Sequence, residues 1–140
     1  MKKDTSELLK ELEGCSDFKS FRKENLDSLQ PQTLSTYLNE LLKIKSIKKS
    51  EAVKRSELNV IYAYQIFSGY RVPERSKLLC LAIGLQLNLA ETQAMLKYGG
   101  YATLYAKNEY DCIIIYGICK KLSVVELNMM LYEYGFETLG

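Results

Sequence analysis

The sequence predicts an all-α protein, and three observations carry that expectation. Apolar residues recur at i, i+3, i+4 spacing along most of the chain. Alternating β-branched stretches of the kind that mark strands are scarce. Only two prolines and eight glycines interrupt 140 residues, so long stretches free of helix breakers remain.

Residues 5–14 read as a short amphipathic helix that carries Leu8, Leu9 and Leu12 and stops at Gly14. Residues 17–29 form a more polar helix with Phe18, Phe21, Leu26 and Leu29. It is ended by Gln30-Pro31, because a residue before proline is turned away from helical dihedrals. A third helix over 33–45 aligns Leu34, Tyr37, Leu38, Leu41 and Leu42 on one face. Two shorter pieces follow. Residues 48–56 turn Ala52 and Val53 inward, and residues 60–68 turn Ala63, Ile66 and Phe67 inward. Glu57-Leu58-Asn59 separates them, with Asn59 suited to cap the second helix. Gly69 then supplies a residue able to take positive φ, and Pro73 opens a helix over 73–86.

The C-terminal half repeats itself with an offset of 35 residues: Glu74 to Leu104 aligns without gaps on Glu109 to Leu139. Ile83/Ile118, Leu87/Leu122, Glu91/Glu126, Met95/Met130, Leu96/Leu131 and Gly100/Gly135 are among the identical pairs. A period in the mid-thirties is the mark of helical hairpins that bury their faces on one another. The expected organisation is an N-terminal helical extension over 1–32, a unit over 33–105 containing the first hairpin, and a second hairpin over 106–140 packed on it.

Composition excludes several classes of function. No run of eighteen uncharged apolar residues exists to span a membrane. Met1-Lys2-Lys3-Asp4 leads into charged helical sequence without the apolar core of a signal peptide, so a cytoplasmic location is expected. The chain has no histidine, and its cysteines at 15, 80, 112 and 119 lack CxxC spacing, so no metal set and no cofactor is implied. Cys80 lies in the apolar run Leu78–Ala82, and Cys80, Cys112 and Cys119 read as inert core residues, with redox sensing as the alternative. Without histidine, an acidic cluster or a glycine-rich phosphate loop, an enzyme is not expected. The net charge of +2 conceals an asymmetry. Between Leu41 and Lys77 nine Lys/Arg face three Glu, a local net of +6 that leaves −4 for the rest. A basic middle between acidic ends suits a segment that faces a polyanion.

Two short helices joined by a three-residue turn can cross steeply only where small residues meet, and Ala52, Ser56 and Ala63 supply them. Leu58 can plug the gap, leaving the outer surface of the second helix free to enter a major groove. This stretch resembles the lambda-repressor-like (XRE/Cro-type) helix-turn-helix family. The resemblance covers about residues 33–98 and rests on Ala52-Val53, Leu58, Ala63, Ile66, the loop Ser68-Gly69-Tyr70-Arg71-Val72-Pro73, and Leu78, Leu81, Ala82 and Leu85. The chain departs from the family in carrying Glu57 where glycine is usual, and in opening the second helix with the apolar Val60-Ile61-Tyr62.

The resemblance implies a helix-turn-helix bundle extended by the repeated hairpin, and a sequence-specific DNA-binding transcriptional regulator, expected to repress. It places base reading on Val60, Ile61, Tyr62 and Gln65, with Gln65 pairing to adenine and the two aliphatics meeting thymine methyls. It places phosphate contacts on Lys49, Ser50, Arg71 and Arg75. Tyr62 and Tyr64, at i and i+2, cannot share a helix face, so at least one belongs to core or interface. The partner expected is double-stranded DNA, with a homodimer or protein contact through the tyrosine-rich C-terminal repeat, where Tyr98, Tyr101, Tyr105, Tyr110, Tyr116, Tyr132 and Tyr134 crowd together. The alternative is a helical protein-binding module on the same scaffold, with Val60-Ile61-Tyr62 as part of its contact surface.

Overall fold

The computed structural model describes residues 3–26, 28, 29 and 33–140. The described residues are helical bundle and connecting turns, without a strand. No helix among them is long and apolar enough to cross a membrane. The chain divides into two compact units, Met1–Gln32 and Thr33–Gly140.

In the first unit, α1 (Thr5–Gly14) is capped by the Asp4 carboxylate, which accepts from the Glu7 amide at 2.8 Å. α2 (Phe18–Glu24) is shorter than the 17–29 expected. Asp17 caps its start, and Asn25 ends it by returning its amide to the Phe21 carbonyl. The expected Gln30-Pro31 stop lies outside the described residues. α1 buries no side chain, and Phe21 and Asn25 are the buried positions described in this unit.

The second unit holds one core built by α3 (Leu34–Lys45), α4 (Lys49–Ser56), α5 (Val60–Ser68), α6 (Arg75–Gly84), α7 (Leu89–Tyr98), α8 (Glu109–Cys119) and α9 (Val124–Glu133). Leu38, Ala52, Ala63, Phe67, Leu78, Leu85, Met95, Ile114 and Leu127 are among its fully enclosed side chains. Pro73 lies ahead of α6, which begins at Arg75 with Glu74 as its N-cap.

α4 packs most extensively on α6, and small residues make this possible. Ala52 and Ser56 are fully buried, and they lie against Gly84 rather than serving the α4–α5 crossing alone. A Cβ at Gly84 would overlap the Ala52 carbonyl oxygen and come within 3.0 Å of the Ser56 nitrogen. Ser56 Oγ donates to the Val53 carbonyl at 2.6 Å and accepts from the Leu58 amide at 3.3 Å, so the residue that admits α6 also shapes the turn.

That turn runs through Glu57 at φ 61°, a left-handed conformation that costs a side-chain-bearing residue about 1 kcal/mol. Leu58 packs half-buried against the core, and the Asn59 side chain accepts from the Tyr62 amide at 3.1 Å to cap α5. Gly69 ends α5 at φ 84°, where the Tyr70 amide reaches back to the Gln65 carbonyl and the Gly69 amide to that of Ile66.

Features of α6–α7 recur 35 residues later in α8–α9. Gln86 and Lys121 both take positive φ. Asn88 with Glu91, and Ser123 with Glu126, form capping boxes. The Gln93 side chain clamps both backbone groups of Leu104, as that of Asn128 clamps Leu139.

The cysteine reading needs a correction. Cys80 is buried, whereas Cys112 and Cys119 are exposed. α8 is apolar on nearly every face, so its composition does not reveal which face turns inward.

Two outcomes test the packing. Gly84→Ala should lower stability by about 1–3 kcal/mol or more, read by chemical denaturation, because helix backbones must separate to admit the methyl. Burial pushes the Cys80 thiol up to about 11, so it stays protonated and inert at pH 8. Alkylation of the folded protein should modify Cys15, and Cys80 only after unfolding.

Candidate nucleic-acid interface

α5 turns Ala63, Ile66 and Phe67 inward and leaves its opposite face open. Val60 is 57% and Ile61 69% exposed, and Tyr64 is exposed as well. Tyr62 and Gln65 are half-buried, at the edge of this face and on it. The C-terminal end of α5 is fastened to α3. Ser35 Oγ and Asn39 Nδ2 both donate to the Phe67 carbonyl, at 2.6 and 2.8 Å. These bonds satisfy a helix-end carbonyl and fix the rod's direction.

Three cations lie against rings of α5. The Arg71 guanidinium carbon lies 5.3 Å and Lys77 Nζ 5.6 Å from the centre of the Tyr62 ring, at the edge of that face. Lys49 Nζ lies 5.4 Å from the centre of the inward-facing Phe67 ring. Each contact contributes about 0.5–1 kcal/mol and holds its charge in place.

Gln65 is held rather than free. Arg71 Nε donates to its Oε1 at 2.8 Å, and the Arg71 amide donates to its main-chain carbonyl at 3.2 Å. The amide oxygen keeps a second lone pair and the amide nitrogen both hydrogens, so a bidentate contact to a base edge stays chemically open. The Tyr62 ring is occupied by its two cations, and Tyr64, two residues on, faces outward.

Of the expected phosphate contacts, Ser50 is exposed in the first turn of α4. Lys49 is the first residue of that helix, whose N-cap Lys48 offers no side-chain bond, and the first amide to return to the Lys48 carbonyl is that of Glu51. Arg75 is placed differently. Its Nε donates to the Ala102 carbonyl at 3.1 Å, and its two terminal nitrogens reach the Asp111 carboxylate at 3.4 and 3.5 Å. Asp111 is buried and also accepts from the Tyr105 amide at 2.9 Å. Arg75 therefore ties α6 to α8 and is committed to that bond. The sequence signal missed here was Asp111, 36 residues away, the only other acid in its helix besides Glu109.

Two further basic residues are tied in the same way. Lys45 Nζ pairs with Glu91 at 2.9 Å, and Arg55 Nε donates to the Gly84 carbonyl at 3.1 Å. Lys77, absent from the expected site, joins it through Tyr62.

The fold and this surface define an all-α helical bundle that carries one short, exposed, cation-bordered helix. Comparison with protein-family models, curated proteins and solved structures yields no match.

Asp111→Ala would leave the half-buried Arg75 guanidinium and the Tyr105 amide without their acceptor. A loss of about 2 kcal/mol is expected in thermal or chemical unfolding.

Proposed function

We propose that α4 and α5 form a helix-turn-helix reader of double-stranded DNA, of the lambda-repressor-like kind, and that the protein is a transcriptional regulator. One observation carries this reading. The outward face of α5 exposes Val60, Ile61 and Tyr64, while Arg71 and Lys77 are held on the Tyr62 ring at its edge and Lys49 lies against the ring of Phe67. A single helix fits a major groove, and the phosphates of the two strands run along its sides, where such cations would meet them.

In this reading Gln65, oriented by Arg71, pairs with adenine, and Val60 and Ile61 pack on thymine methyls. Tyr62 serves chiefly to hold the cations. Lys49, Ser50 and the open amides of α4 engage one strand, and Arg71 with Lys77 engages the other. Arg75 is left out, since Asp111 holds it. The two helical pairs α6–α7 and α8–α9 are copies of one hairpin. The first completes the core of the reader, and the second buttresses it through Arg75 and Asp111.

A second reading has its own support. Val60, Ile61, Tyr64, Tyr70 and Val72 form an exposed apolar stretch beside the cations, which suits a protein partner on the same scaffold.

Titration of the protein against duplexes enriched from a random pool, at two salt concentrations, separates them. A DNA reader should show log–log salt dependence with a slope of about −0.9 per phosphate contact. Lys49→Ala should weaken all duplexes alike and flatten that slope by about 0.9. Gln65→Ala should cost about 1–3 kcal/mol of discrimination at one position of the enriched site. No binding even at low salt would overturn the DNA reading and favour the protein module.

A further inference from the structure

The helix pairs α6–α7 and α8–α9 differ in what covers their first helix. Gly84 of α6 is buried against Ala52 and Ser56 of α4, and Leu81 and the C-cap Leu85 are buried beside it. The positions 35 residues later on α8 and its end are Tyr116, Cys119 and Lys120, and all three are exposed. With Glu109 and Cys112 they make one stripe along α8 at i, i+3, i+7, i+10 and i+11. The surface that takes a helix in the first pair is bare in the second.

We infer that this stripe is covered by the α8 stripe of a second copy of the chain, lying antiparallel about a two-fold axis. Charge selects that occupant and that direction. The stripe begins at Glu109 and ends at Lys120, next to Lys121. Neither Glu109 nor Lys120 has an ion-pair partner among the described residues. Two antiparallel copies bring each Glu109 against the other's Lys120, twice over, whereas a parallel pair sets like charges together. Between the charged ends lie Cys112, Tyr116 and Cys119, and the two thiols are small enough to let helix axes approach.

Shape agrees with charge. A depression of about 320 Å³ beside the stripe is lined by Glu109, Cys112, Ile113, Tyr116, Met130 and Tyr134. Tyr116, 44% exposed, stands in the middle of the stripe, with Lys120 Nζ 5.8 Å from its ring centre. About the two-fold axis each Tyr116 ring meets the other copy at Cys112 and fills that depression, with its hydroxyl at the wet rim. This pairing is independent of what α5 binds, so either conclusion can fail alone.

Sedimentation equilibrium on the full chain tests it, in reducing buffer so that no disulfide contributes. A dimer is expected at about 100 µM chain, where a dissociation constant of about 1 µM leaves only about 7% as monomer. Tyr116→Asp should raise that constant at least about thirtyfold, with circular dichroism unchanged because the ring is on the surface. Glu109→Lys alone should weaken the dimer, and Glu109→Lys with Lys120→Glu should restore it. A monomer throughout overturns the proposal. So does a dimer indifferent to Tyr116→Asp, or one that the double reversal fails to rescue.

Discussion

At Gly84 the backbone of α6 comes against the backbone of α4, with only Ala52 and Ser56 between them. Any side chain there would push the helices apart, and the consequences would travel. Ser56 receives the Leu58 amide, so its position sets the path of the turn into α5. Arg55 donates to the Gly84 carbonyl, locking the same crossing from the rim. With α4 seated this closely, α5 finds core on one side only and keeps its other face clear. The outward rod is thus a consequence of a missing Cβ on a different helix.

A second tie works across a larger span. Arg75 and Asp111 sit near the starts of α6 and α8 and join the two helices. Apolar packing is tolerant of sliding, whereas a two-pronged guanidinium–carboxylate contact fixes register. The Tyr105 amide on the same carboxylate fastens the linker between the two helix pairs at that point. Cys112 donates from its thiol to the Ala106 carbonyl and holds the linker one step further along.

Much of the helix layout was legible because the breakers and caps were in plain view. Asn59, Gly69, Gly100 and Gly135 act as their residue types suggest. What the letters concealed are turns taken by residues with no such preference. Ser46, Glu57, Gln86 and Lys121 all adopt positive φ, held there by returning bonds such as Ile47 to Leu42 and Leu122 to Gly117. In those cases the packing of flanking helices overrides local preference. Side chains on the candidate site were harder to place than helices. Lys49 and Arg71 lie against rings of α5 and Gln65 accepts from Arg71, all close to the turn in sequence. The placement of Arg75 was not legible, since a run of basic residues says nothing of a carboxylate distant in sequence. The exposure of Cys112 and Cys119 was hidden by a helix that carries apolar residues on nearly every face.

The way the cations are held bears on what they can do. Of the nine basic residues between Leu41 and Lys77, Lys45 is neutralised by Glu91 and Arg75 by Asp111. An ion pair fixes a charge at the cost of cancelling its field at a distance. Lys49, Arg71 and Lys77 are positioned instead by the rings of Phe67 and Tyr62 and by the neutral amide of Gln65. Rings and amides orient a cation without supplying an opposing charge, so its field persists beyond the surface. The positive potential beside α5 is therefore smaller in residue count than the composition suggests, but better directed.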